Sequence, residues 1–155
     1  METRPIEQAD REPLAHLLER IENFTPDEVQ CALELIDASL EPDPPDYQTR
    51  VAELDGVVVG YVCFGPTPMT QGTFDLYWVA SDPDARGHGV GRALLESMEH
   101  ELRTRGGRIV RVETSATEAY GTTRGFYAAL AYVEEARFRD FYQDGEDLVT
   151  LAKRL

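Results

Sequence analysis

From Val57 to Phe64 the chain reads Val-Val-Val-Gly-Tyr-Val-Cys-Phe, apolar at every position but Gly60. A half-buried strand alternates polar and apolar residues, so an unbroken run predicts a strand covered on both faces, inside a sheet that carries helices on each side. Asp55-Gly56 stands immediately before it, the two-residue turn whose positive φ angles match the twist of a hairpin, and Tyr47 to Leu54 supplies the other arm. Upstream the period is helical. Leu14, Leu17, Leu18 and Ile21 fall at i, i+3, i+4 and i+7, and Val29, Leu33, Ile36 and Leu40 repeat the stripe. Thr25-Pro26-Asp27-Glu28 opens the second helix as a capping box with Pro at the first helical position. The acidic, Pro-rich stretch over residues 41–46 reads as a loop rather than a domain boundary.

Downstream, Thr73 to Ala80 is a further strand, and the loop Ser81 to Gly91 leads into a helix carrying Leu94, Leu95, Met98 and Leu102, ended by Gly106-Gly107. A strand from Arg108 to Thr114 and a short helix near Thr123 to Leu130 follow. Two closing strands, Tyr132 to Tyr142 and Asp147 to Lys153, meet at the turn Asp144-Gly145. No repeat or linker interrupts the order, so residues 1–155 are expected to form one domain.

The centre of the chain is thus strand, loop, helix, strand. In such sheets a ligand sits at the carboxyl end of the strand that feeds the helix, which directs attention to Arg86-Gly87-His88-Gly89-Val90-Gly91. Glycines there let backbone N–H groups approach an anion at the helix N-terminus. A nucleoside-triphosphate loop needs Gly-Lys before Ser or Thr, and Lys153 is the only lysine. A dinucleotide fingerprint needs a third glycine where Arg92 stands and an immediate turn where Ser81 to Ala85 intervene.

Charge narrows the partners. Twenty-nine acidic against fifteen basic side chains leave a formal charge of −14 in 155 residues. A nucleic-acid surface requires clustered Lys and Arg, and an anionic membrane repels such a chain, so neither partner is expected. The acidity fits either a salt-rich cytoplasm or a GC-rich genome that favours Arg over Lys. No 18-residue apolar run and no signal-type segment in Met1 to Asp10 are present, which reads as a cytoplasmic protein. Cys31 and Cys63 are too far apart for a CxxC or zinc pattern; both are expected to be buried thiols, and no metal site is expected.

The glycine loop has the form R-x-x-G-x-G, preceded by Asp82-Pro83-Asp84 and followed by Arg92-Ala93-Leu94-Leu95. In these residues the chain resembles the Gcn5-related N-acetyltransferase (GNAT) superfamily, and Arg124-Gly125-Phe126-Tyr127 extends the likeness. The superfamily pattern there, N-x-x-A-x-x-F-Y-x-x-x-G-F, keeps Phe126-Tyr127 but has Tyr120 for Asn, Thr123 for Ala and Ala131-Tyr132 for Gly-Phe.

The resemblance implies an α/β (α+β) acyl-CoA N-acyltransferase fold, a mixed, mostly antiparallel sheet of about six to seven strands flanked by about four helices. It implies acetyl-CoA as cosubstrate, held at its pyrophosphate by Gly87, His88, Gly89, Val90, Gly91 and Arg92 with Arg86 adding charge. Val79, Ala80 and Ser81 would pair with pantetheine, and Tyr120 stands where an Asn usually binds it. Tyr127 would protonate the leaving thiolate.

A primary amine of pKa about 10.4 is only about one part in a thousand neutral at pH 7.5, so a base is needed. Glu113 matches the glutamate base of the branch that acetylates protein N-termini, and Asp75 is the alternative. Phe24, Asp140 and Tyr142, with Phe138, Phe141 and Asp144 nearby, are the candidate acceptor residues. The expected activity is acetyl transfer to a primary amine, of a small molecule or a peptide N-terminus, by direct attack in a ternary complex. The competing reading is a non-catalytic acyl-CoA-binding module. A homodimer is compatible with either.

Overall fold

The computed structural model describes residues 1–43 and 46–155, so positions 44 and 45 of the expected acidic loop lie outside it. The apolar run becomes β3 (Val57–Pro66), buried continuously from Val59 to Gly65. Its hairpin partner is β2 (Gln48–Leu54), and the turn between them uses positive φ at both Asp55 (53°) and Gly56 (78°). The other strands are β1 (Glu2–Pro5), β4 (Thr73–Ser81), β5 (Ile109–Ser115), β6 (Val133–Gln143) and β7 (Glu146–Arg154). All seven form one sheet in the order β1-β2-β3-β4-β5-β7-β6. Every neighbouring pair is antiparallel except β4 and β5. The expected mixed, mostly antiparallel α/β sheet is the one observed.

Helices cover both faces, as an interior strand without polar positions requires. On one face α1 (Arg11–Glu19) and α2 (Pro26–Ser39) bury Leu14, Leu17, Leu18, Ala32 and Ile36 against Val51, Tyr61 and Cys63. The capping box at the start of α2 is complete: the Thr25 hydroxyl accepts from the Glu28 N–H (3.2 Å) and the Glu28 carboxylate accepts from the Thr25 N–H (2.8 Å). On the other face α3 (Val90–Thr104) and α4 (Gly121–Ala129) place Val90, Leu94, Leu95, Met98, Leu102 and Tyr127 over Val62, Phe64, Leu76 and Val112. Among the described residues no helix is long and apolar enough to cross a membrane.

Two sequence expectations need correction. β1 is a strand that the hydrophobic period does not announce, because Glu2-Thr3-Arg4-Pro5 has no apolar alternation and is recruited by pairing with β2 at the sheet edge. Cys31 is exposed, since it lies on the outer side of α2, and only Cys63 is buried.

The feature that positions a site is the parting of β4 from β5. They pair in parallel only at Thr73–Ile109, Phe74–Val110 and Asp75–Arg111, although β4 runs on to Ser81 and β5 to Ser115. Opposite β3 the register of β4 shifts, with Cys63 facing Trp78 and Phe64 facing Leu76, which leaves Tyr77 as an extra residue. A bulge bends the strand that carries it. Here it turns the second half of β4 away from β5 and opens a wedge in the sheet.

Candidate active site

One wall of the wedge is the β4 edge from Leu76 to Ser81. Val79, Ala80 and Ser81 pair with Val62, Tyr61 and Gly60 of β3 on one side, while β5 pairing has ended on the other. That leaves backbone donors and acceptors on an open strand edge, the arrangement to which an extended amide-bearing chain adds as a strand.

At the mouth of the wedge the chain turns through Asp82 and a short 3-10 turn, Pro83–Ala85, into α3. Gly87 (φ 83°) and Gly89 (φ 74°) adopt left-handed backbone that only glycine takes without cost. A Cβ at either would have no neighbour within 4 Å, so both look onto open space. Gly89 is the N-cap of α3 and no side chain caps that helix. The amides of its first turn therefore remain for an external acceptor, and the dipole of a 15-residue helix favours an anion there. The turn fits a pyrophosphate.

The loop residues divide their work. His88 turns back on the loop, its Nδ1 3.2 Å from the Ala85 carbonyl, and its N–H donates to the same oxygen. Arg92 shares its charge with Glu96 at 3.2 Å, whereas Arg86 is exposed without an ion-pair partner among the described residues. Gly91 serves packing: a Cβ there would lie 3.0 Å from the Phe126 ring, so its absence lets α4 close on α3. Gly60 does the same for β3, where a Cβ would lie 2.7 Å from Val90 and 2.8 Å from the Ala80 carbonyl. A lone glycine inside an apolar strand is the sequence sign of such close backbone approach.

Through Phe126 the helix start is linked to Tyr127. That residue is 4 % exposed, with its ring 5.2 Å from Phe126 and 5.6 Å from Tyr132. Burial pushes its phenol well above the ordinary tyrosine range, so it stays protonated. Two departures from the superfamily pattern, Ala131 and Tyr132, have visible structural consequences. Ala131 takes a left-handed φ of 69°, the conformation glycine adopts freely, and the Tyr132 hydroxyl donates to the buried Glu99 carboxylate at 3.0 Å. Glu99 also accepts from Lys153 at 2.7 Å.

The candidate bases lie on the wedge strands. The Arg111 Nε donates to Asp75 at 2.7 Å, and its Nη1 stands 3.9 Å from Glu113. Asp75 is thus committed to a guanidinium, while Glu113 is half exposed and more loosely held. Burial first, then electrostatic repulsion from Glu113, Tyr120 and Glu146, raises the pKa of Tyr142 on β6. Phe24, from the loop between α1 and α2, packs edge-on against Trp78 beside the bulge at 5.2 Å.

Asp140 is employed otherwise. Its carboxylate accepts from the Gly145 N–H at 2.8 Å while its own backbone, at φ 53°, donates to Asp147. It shapes the hairpin turn through one carboxylate oxygen and its backbone N–H. Arg124 donates to the carbonyls of Ser115 (2.7 Å) and Thr117 (2.6 Å) and anchors α4 to the end of β5.

A mixed sheet opened between two parallel strands, with a glycine turn and an uncapped helix at the opening, defines the class of acyltransferases built on a split sheet. The chain belongs to the Acetyltransferase (GNAT) family, whose sequence profile matches residues 12–132. An acetyltransferase of Pectobacterium atrosepticum is 30% identical over 156 residues, covering 100% of this chain and 96% of that protein. An uncharacterized N-acetyltransferase of Methanocaldococcus jannaschii is 31% identical over 107 residues; the match covers 67% of this chain and spans 64% of that protein's length. A crystal structure of a GNAT-family acetyltransferase from Desulfovibrio desulfuricans superposes with a TM-score of 0.92 at 36% identity, covering 99% of this chain and 98% of that one.

Proposed function

We propose that residues 1–155 form one acetyltransferase domain that moves an acetyl group from acetyl-CoA to a primary amine by direct attack. The observation that carries this reading is the juxtaposition of the open β4 edge with the glycine turn at the start of α3. Acetyl-CoA would supply an acyl carbon activated as a thioester. Amides of Gly87 and of the first turn of α3, with Arg86 and Arg92, would hold its phosphates; Val79, Ala80 and Ser81 would align pantetheine. The Val79 N–H is the donor we assign to the thioester oxygen as charge develops on it.

Glu113 receives the ammonium proton, directly or through water, and Tyr127 hydrogen-bonds the departing sulfur. Neither thiol is suited to a covalent acetyl-enzyme: Cys31 is on the outer surface of α2, and burial pushes the Cys63 thiol up to about 11. Tyr142 and Phe24 suit a cationic amine through aromatic faces beside carboxylates. The reading uses no metal, places the protein in the cytoplasm, and allows a homodimer.

Calorimetric titration with coenzyme A, followed by a thiol-release screen over polyamines, amino acids, aminoglycosides and peptides, tests it. Binding with turnover of at least one amine is expected. Absence of coenzyme A binding would refute the cofactor site. Tyr120, exposed where the superfamily has Asn, is the observation favouring the non-catalytic module, and binding with no thiol release across the panel would establish that reading instead.

A further inference from the structure

Arg20, the residue that follows α1, lies far in sequence from the glycine turn but is bonded to the loop that leads into it. Its Nη1 donates to Asp82 Oδ2 at 2.8 Å and its Nη2 to Asp84 Oδ2 at 2.5 Å. Both acids have local reasons to be there. Asp82 Oδ1 accepts from the Asp84 N–H at 2.9 Å, and the Asp82 N–H donates to the Val59 carbonyl at 2.8 Å, which fixes the exit from β4.

The loop geometry thus puts two carboxylates close to an anion site. Asp84 and Gly87 are three positions apart along the chain, a reach of at most about 11 Å. That is comparable with the Debye length of about 10 Å at 0.1 M salt. On a chain of net charge −14 the local positive potential is scarce, and Arg92 already shares its charge with Glu96.

We propose that Arg20 is an affinity-determining positioning residue for the acyl-CoA phosphates: without touching the coenzyme, it offsets part of the negative charge of Asp82 and Asp84 and holds the loop that presents the glycine turn. The inference rests on the reading of that turn as the pyrophosphate site. It also ties the acceptor side to the cofactor side, because the loop after Arg20 carries Phe24 onto Trp78.

Calorimetric titration of the full chain with coenzyme A, at about 50 and 500 mM salt, tests it on wild type, Arg20→Gln, Arg20→Lys and the double variant Arg20→Gln/Asp84→Asn. Two exposed ion pairs support an expected three- to tenfold weakening for Arg20→Gln at low salt, roughly the range such pairs reach, and little loss at high salt. Arg20→Lys should keep most of the affinity, and the double variant should regain it. Unchanged affinity of Arg20→Gln at low salt overturns the proposal. So does an equal loss at both salt concentrations with a lowered melting temperature, which would mark a structural role. Wild type that binds no coenzyme A refutes the underlying cofactor site, whereas wild-type binding matched by Arg20→Gln refutes this inference alone.

Discussion

Burial of Tyr127 between Phe126 and Tyr132 bears directly on what its hydroxyl can contribute. An ordinary phenol, pKa about 10, gives its proton to a thiolate of pKa about 8.5 at a cost of roughly 2 kcal/mol, and the raised pKa here makes full transfer costlier still. In the proposed reaction the hydroxyl therefore acts mainly by a hydrogen bond aimed at the leaving sulfur. Tyr127→Phe should lower kcat about ten- to hundredfold and leave coenzyme A affinity and melting temperature nearly unchanged. Calorimetry beside steady-state kinetics checks this, and an equal loss of affinity and turnover would make the residue a packing element. Because its pKa is raised, Tyr127 contributes no falling limb to the pH–rate profile near neutrality.

At the scale of elements, β1 shows how a segment without apolar alternation is held in the sheet. Arg4 on β1 meets Asp10 (2.7 and 2.9 Å) and Glu53 of β2, and the Asp10 carboxylate also accepts from the Glu7 N–H at 2.8 Å. Asp10 is 4 % exposed, and the Arg4 guanidinium holds its carboxyl below the usual range. A folded-state pKa below the unfolded value means stability that is present above the ordinary carboxylate pKa and lost as pH falls through the folded one. Asp10→Asn should cost about 1–3 kcal/mol at pH 7, with a melting temperature lower by about 2–4 °C per kcal/mol. The gap to wild type should narrow on acidification, as followed by thermal melts from about pH 7 to pH 3. A constant gap would remove the ion pair as its cause.

For the whole molecule the proposed function requires the charge of −14 to coexist with a polyanionic cosubstrate and a cationic acceptor. At the proposed cofactor site the positive charge comes from the α3 N-terminus, Arg86 and Arg92, while Glu113 and Glu146 lie on the proposed acceptor side and Asp75 is paired with Arg111. Such a field raises the encounter rate of a cationic amine and is screened by salt. With saturating acetyl-CoA, kcat/KM for a cationic amine should fall about tenfold between 50 and 500 mM salt while kcat changes little. Activity that requires molar salt would instead assign the acidity to a salty cytoplasm.

The hairpin turn, the capping box, both helical stripes and the glycine turn were legible because each is a local preference written within a few residues: positive φ at Asp55-Gly56, a reciprocal cap at Thr25 and Glu28, uncapped amides after Gly89. The lysine count was equally decisive about which phosphate loop this is not. The tertiary structure alone decided what depends on strands and helices meeting. It opened β4 from β5 at the Tyr77 bulge, recruited β1, turned Asp140 into a hairpin brace, and gave Tyr132 a partner in Glu99. It also brought Arg20 to Asp82 and Asp84. Those outcomes are set by register and packing between segments distant along the chain, where no local preference carries the information.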